Sequence, residues 1–374
     1  MGRKLALFFD GTWSSYGDET NVSRLFELTK SIRQFRGQNS LLGKKLVEGK
    51  SGEDENVEQI KYYHKGVGVN WGEKLLGGAF GRGLSRNIKD GYLWLASHYR
   101  QGDEIYIFGF SRGAYTARSL AGLIRKCGIP KTAFEALAQE AYHIYREKKW
   151  DPDGREAKAF WETFSWPDRR IKFLGVWDTV GALGIPIRGM LFSSDYYNWH
   201  DTELSRMVEN AYHALALDEH RHDYAATMWS NNKKPLPKQK VEQRWFPGAH
   251  ADVGGGYKGG KLYQIPLQWM QQKAEECGLQ FKEQVVIEPD AYLDKIHNSL
   301  NDFIFGIYAK LKCLYPCYYR PLKFGVNETI DDSVWNRMES PNGYDETGKK
   351  YSPPALIKVH PNKTSEDIHP AEQV

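Results

Sequence analysis

Short apolar runs punctuate the chain. Lys4–Phe9, Gln59–His64, Glu104–Phe110, Ile171–Trp177 and Val241–Phe246 are rich in β-branched and aromatic residues, and most end at Gly or Asp. Each reads as a strand. Leu84, Ile88, Tyr92, Leu95 and Tyr99 recur at three- and four-residue steps, the stripe of an amphipathic helix. Ala114–Lys126, Thr132–Lys148, Glu203–Leu217 and Tyr263–Cys277 read as helices as well. Strands alternating with helices predict an α/β fold, with a mostly parallel sheet covered by helices on both faces.

Two stretches depart from the alternation. Ser14–Glu58 holds one helical pattern followed by Gly-, Ser- and charge-rich text, which reads as a surface excursion. Ser299–Phe324 is aromatic and basic, with Lys310, Lys312, Arg320 and Lys323 among its aromatic residues. A basic and aromatic stretch of this kind suits either an anionic lipid interface or a helix packed on the core. No internal repeat or long linker appears. The expected organisation is therefore one domain over 1–353, with insertions at about 14–58 and 299–324 and a polar tail over 354–374.

The chemistry concentrates in Glu104–Gly113, EIYIFGFSRG, which contains the G-x-S-x-G pentapeptide Gly109–Gly113. A buried strand before it and the helical pattern from Ala114 after it are the context in which such a serine sits on a sharp strand-to-helix turn. Ser111 is thus the candidate nucleophile. A serine hydroxyl needs an imidazole to take its proton and an acid to orient that imidazole, and in this architecture the order along the chain is Ser, acid, His. Ile171–Trp177 stops at Asp178, beside Thr179-Val180-Gly181, which places a carboxylate at a strand end. Val241–Phe246 leads into Pro247-Gly248-Ala249-His250, which places an imidazole on a small-residue loop. Asp252, two residues past His250, is the alternative acid or a loop-shaping residue. His250 with Asp252 also resembles half a metal site, but no further ligand stands at suitable spacing, so no metal or other cofactor is expected. Loss of the orienting acid is expected to cost turnover while the fold survives.

The first strand ends in Phe8-Phe9-Asp10-Gly11-Thr12-Trp13. A loop after an early strand supplies one oxyanion N–H in this architecture, and the residue after the nucleophile supplies the other. That nominates the backbone N–H groups of Gly11 or Thr12, and of Arg112. Strands ending in Asp-Gly-Thr also occur in haloacid-dehalogenase phosphatases, but their nucleophilic Asp is replaced here by Phe8. Gly77–Gly83 is glycine-rich without a phosphate-binding frame, and reads as a flexible, substrate-facing loop.

Composition narrows the class. Lys+Arg 51 against Asp+Glu 47 leaves a net charge of +4, too weak a bias to argue for a nucleic-acid partner. The apolar run after Met1-Gly2-Arg3-Lys4 ends at Asp10, too short for a signal peptide. No membrane-spanning run is found at a mean hydropathy of -0.62. Synthesis in the cytoplasm is the expectation, with Cys127, Cys277, Cys313 and Cys317 as thiols.

FFDGTW, GFSRGAYTAR, FLGVWDTVGALG and WFPGAHADVGGGY, taken together, resemble the α/β-hydrolase domain of the type VI secretion phospholipase effectors of the first lipase-effector class. The four blocks run from Phe8 to Tyr257 in the family's order. The resemblance implies an α/β-hydrolase fold and a triad of Ser111, Asp178 and His250. It implies a phospholipid or other acyl ester as substrate, peripheral contact with a membrane, and delivery by a secretion system. Two other readings stay open: an esterase or thioesterase acting on soluble substrates, and a non-catalytic binding protein on a hydrolase fold.

Overall fold

The strands are β1 (Lys4–Phe9), β2 (Arg33–Ser40), β3 (Gly43–Lys50), β4 (Gln59–His64), β5 (Glu104–Phe110), β6 (Ile171–Trp177), β7 (Val208–Ala216), β8 (Lys240–Phe246) and β9 (Glu328–Ile330). In this computed structural model, which describes residues 2–11, 19–40, 43–50, 58–66, 77–147, 149–180, 204–230, 238–299, 318–322 and 326–359, they form one sheet in the order β3-β2-β4-β1-β5-β6-β7-β8-β9. Every neighbouring pair is parallel except β2 with β3. Among the described residues, the α-helices are α1 (Asn21–Leu28), α2 (Gly77–His98), α3 (Arg112–Cys127), α4 (Glu135–Arg146), α5 (Arg155–Phe164), α6 (His250–Gly254), α7 (Gln264–Glu276), α8 (Asp332–Glu339) and α9 (Pro354–Val359).

Side chains alternate across a strand, so a strand covered on both faces must be apolar at consecutive positions. β1 shows this directly. Leu5, Leu7 and Phe9 enter one core with α2, α3, α4 and α5, whereas Ala6 and Phe8 enter a second with α1 and α7. A third cluster joins Leu215, Trp245 and Leu322 to Trp335, Tyr351 and Leu356 beyond the far end of the sheet. The architecture is an α/β-hydrolase fold.

Four segments differ from their sequence reading. Within Glu203–Leu217, Val208–Ala216 is a strand and not a helix: β7 lies between β6 and β8, in register with both. The segment's Ala, Leu, Met and Glu residues favour a helix locally, but Ala211, Ala214 and Ala216 are wholly buried in the interior of the sheet, and tertiary packing overrides the propensity. Within the expected excursion over 14–58, β2 and β3 extend the main sheet beside β4. Gly77–Gly83 is the start of α2 rather than a loop. The tail begins as a helix, with Leu356 fully buried in the third cluster.

The two glycines of the pentapeptide are required by close approach. A Cβ on Gly109 would stand 2.4 Å from the carbonyl oxygen of Gly113, and one on Gly113 would stand 2.0 Å from that of Phe9. Both obstacles are backbone, so α3 could accept a side chain there only by moving off β1 and β5. Gly113→Ala is therefore expected to destabilise the fold by about 3 kcal/mol, as overpacking does. A denaturant-unfolding midpoint equal to that of the wild type would contradict this packing.

Candidate active site

The carboxyl ends of β5, β6 and β8 face one edge of the sheet, and the turns that leave them carry Ser111, Asp178 and His250. Ser111 sits at φ 57° and ψ -121°, just before α3. This is a left-handed conformation that a serine adopts only when its surroundings hold it. The hold comes from the glycine contacts below the turn and from its N–H, which donates to the Trp177 carbonyl at 3.0 Å. Asp178 is likewise at positive φ, 39°. Its N–H donates to the Ala214 carbonyl at 2.7 Å. The next N–H, of Thr179, donates to His213 Nε2 at 3.1 Å. Burial, with Arg118 nearby, pushes His213 down to about 3, so the ring is neutral and free to accept. The strand misread as a helix is thus the one that fixes the Asp178 turn.

His250 opens α6. Its backbone N–H donates to Glu219 Oε2 at 3.2 Å. Its ring packs against Phe110 and Tyr224, at centroid distances of 4.7 and 5.1 Å. Nδ1 lies 2.5 Å from Asp178 Oδ2, and Nε2 lies 2.8 Å from Ser111 Oγ. The Asp178 carboxylate only accepts, so Nδ1 carries the proton, and Nε2 is left to accept from the serine hydroxyl. The three side chains read from strand ends therefore form one continuous hydrogen-bonded chain.

Electrostatics reinforce this state. Burial alone would raise the pKa of Asp178, but Arg320 and His250 outweigh it and hold the carboxyl well below the usual range. Arg320 grips Asp178 with both terminal nitrogens, Nη2 donating to Oδ2 at 2.9 Å and Nη1 to Oδ1. For His250, burial lowers the pKa more than Asp178 raises it, so the imidazole stays neutral below its ordinary range. A second buried pair stands behind the ring. Arg221 Nε and Nη2 donate to the two oxygens of Glu219 at 2.8 and 2.9 Å. Arg221 and Arg320 together hold Glu219 at about 2 despite its burial. The Arg221 guanidinium also covers the Tyr224 ring at 3.4 Å.

The other sequence candidates fall into place around this chain. Asp252 braces the loop and does not face His250. It accepts the Ala249 N–H at 2.9 Å, the His297 N–H at 3.0 Å and His297 Nδ1–H at 2.7 Å. Gly11 approaches the nucleophile, since a Cβ there would lie 3.3 Å from that of Ser111, but its N–H already donates to Asp10 Oδ1 at 2.7 Å. Its expected oxyanion role is therefore not set up in this conformation. Thr12 lies outside the described residues. Arg112 opens α3 directly after Ser111, and burial lowers its pKa to about 10. Arg320, one cation of the stretch that the sequence leaves open between a lipid interface and core packing, is 1% exposed and bound to Asp178. Lys310, Lys312, Lys323, Cys313 and Cys317 lie outside the described residues.

Sequence reasoning missed Arg320, Glu219, Arg221 and His213. The run Asp218-Glu219-His220-Arg221 was the available signal for two of them. A charge run normally marks a solvated surface, but this one follows a strand, and all four residues are buried. Among the described residues, no group of three or more His, Cys, Asp or Glu is arranged to hold a metal ion. No described helix is long and apolar enough to cross a membrane.

Residues 3–273 match the family model described as the catalytic domain of Tle1-like phospholipase effectors of the type VI secretion system. An uncharacterized protein of Saccharomyces cerevisiae is 31% identical over 245 residues, which cover 59% of this chain and 32% of the yeast protein. An uncharacterized protein from Pseudomonas aeruginosa of solved structure aligns at a TM-score of 0.38 and 20% identity, covering 78% of this chain and 48% of that one. The Tle1 effector bound to the VgrG spike aligns at a TM-score of 0.35 and 18% identity, covering 70% of this chain and 52% of the effector. The chain thus spans about a third of the yeast relative and about half of each of the two solved structures. The family match decides the class: the chain belongs to the family of the Tle1-like phospholipase effector catalytic domain of type VI secretion, a family of hydrolase domains.

Proposed function

We propose that the domain is a serine ester hydrolase that cleaves acyl esters of glycerophospholipids. The observation that carries this reading is the unbroken chain from Ser111 Oγ through His250 to Asp178. In this mechanism, His250 Nε2 takes the hydroxyl proton as Ser111 Oγ attacks the acyl carbonyl. Asp178 stabilises the imidazolium that forms, and His250 then passes the proton to the departing alcohol. An acyl-enzyme on Ser111 remains, and water attacks it by the same route in reverse. The oxyanion would be received by the backbone N–H of Arg112 and by one from the loop after β1, of which Thr12 is the candidate. For Gly11 to serve, its N–H would first have to leave Asp10.

Phospholipid as substrate rests on the family and not on the triad, which suits any acyl ester. Vesicles of defined glycerophospholipid, assayed beside a short soluble ester, separate the two. Release of fatty acid from the vesicles, lost together with fluorophosphonate labelling in Ser111→Ala, is the expected result. Hydrolysis of the soluble ester with intact vesicles would move the reading to a soluble-substrate esterase. Labelling retained by Ser111→Ala would remove the nucleophile.

The two aspartates should separate, though not by rate alone. Asp178→Asn is expected to lower turnover by about 10⁴ through the wrong imidazole tautomer. It also leaves the Arg320 cation buried against a neutral amide, so the fold should lose about 3–5 kcal/mol. The sequence-based expectation of an unchanged fold is corrected on this point. Asp252→Asn keeps one acceptor oxygen and should cost about 1 kcal/mol with a much smaller rate loss. Thermal melts and steady-state kinetics on the two variants check both statements.

The acid limb of kcat/KM should reflect free His250. Because burial holds its pKa below the ordinary value, the base remains neutral as pH falls through that value. Activity on a soluble ester is therefore expected to hold constant from neutral pH to below about 6.5, and to fall only at lower pH. A fall centred at or above that value would contradict the arrangement.

A further inference from the structure

Arg320 takes no part in the proton transfers above, yet it spends its donors on the acid that supports them. Nη1 donates to Asp178 Oδ1 and to the Ala216 carbonyl, the latter at 2.7 Å. Nη2 donates to Asp178 Oδ2 at 2.9 Å and to the Tyr224 carbonyl at 2.6 Å. The guanidinium is planar, and its fork meets both carboxylate oxygens, so it fixes the plane of the carboxylate as well as its position. The Ala216 N–H, donating to Oδ1 at 3.0 Å, assists on one side only. Without the fork, the carboxylate keeps one hydrogen bond on each oxygen, from that N–H and from His250, and its terminal torsion, which has broad, shallow preferences, is held less firmly.

We propose that Arg320 is a positioning residue for the hydrolysis: its fork sets the Asp178 carboxylate so that Oδ2 meets His250 Nδ1. It also ties that setting to the Tyr224 loop and to the end of β7. The proposal rests on the triad reading. The competing possibility is a cation that merely neutralises a buried carboxylate, for which any positive charge would serve. Among the described residues, the charged and titratable groups around the dyad are Glu219, Arg221 and Tyr224 from the loop after β7, His213 from β7 itself, Arg112 and Arg118 from α3, and Arg320. Of these, Arg320 is the cation bonded to the Asp178 carboxylate.

The test compares Arg320→Met, Arg320→Lys and Arg320→Met combined with Asp178→Asn. It measures kcat, KM and the pH profile of kcat/KM on a soluble p-nitrophenyl ester. With the fork gone, kcat for Arg320→Met should fall by about 10²-fold, the scale of a misplaced catalytic group, with KM unchanged. Its acid limb should move up in pH, because the imidazolium then meets a carboxylate whose charge no arginine offsets. Arg320→Lys keeps the charge and lacks the fork; it should leave the acid limb near that of the wild type while kcat still falls. It carries the test alone if Arg320→Met does not fold. In the combined variant, Arg320→Met should cost no turnover beyond Asp178→Asn. Wild-type kcat in Arg320→Lys would overturn the proposal, as would losses that multiply in the combined variant. Failure of the triad itself would appear separately, as fluorophosphonate labelling that survives Ser111→Ala, and would take this proposal with it.

Discussion

A carboxylate with no exposure to water must be answered by positive charge and hydrogen bonds, and most of this site is arranged around that requirement at Asp178. Left alone in the interior, the group would protonate and lose its ability to orient an imidazole. Arg320, His250 and the Ala216 N–H answer it. Each comes from a different part of the chain: the second insertion, the loop after β8, and the end of β7. The carboxylate thus couples the end of the sheet to segments more than a hundred residues apart in sequence. The interaction that keeps the acid ionised also holds the architecture around it together.

The ring beside it is treated differently. His250 is buried as well, but it is kept neutral, and its surroundings carry charge in matched pairs. Glu219 with Arg221 and Asp178 with Arg320 place two anions and two cations near one imidazole. Arg221 offsets part of the pull of the two carboxylates toward the imidazolium, and burial outweighs the remainder in favour of the neutral base. A neutral imidazole accepting from a serine on a strained turn is the resting state that acyl transfer requires. Much of the strain at Ser111 is carried by backbone contacts that only glycine permits at positions 109 and 113, so the nucleophile's geometry is paid for in the packing of α3 on β1.

Most of this was legible in the sequence where the signal is local. Lys4–Phe9, Glu104–Phe110 and Ile171–Trp177 are continuous apolar runs because both faces of the sheet are covered, and they were read at their observed limits. Ser111, Asp178 and His250 followed from what stands at strand ends. The misses share a cause. β7 is rich in Ala and carries Glu, Asn and His, yet it lies inside the sheet, and nothing in its own residues reports the neighbours that bury it. Arg320 is a charged residue whose partner Asp178 lies far away in the chain, and Glu219, although it pairs with nearby Arg221, is buried by tertiary packing that the local sequence does not report; a charge is taken for surface until its surroundings are known. β2 and β3 read as an excursion because Gly, Gln and Lys are weak strand formers, and their pairing with β4 is a tertiary fact.

The central claim is a covalent one, that the acyl group passes through Ser111. Intact-protein and peptide mass spectrometry of enzyme quenched in acid during turnover of a slowly deacylating ester observes that intermediate directly. The account predicts an adduct of the acyl mass, at up to one per chain, on the peptide containing Ser111, and its release by hydroxylamine. Sustained turnover with no adduct, or an adduct carried by another residue, would contradict it.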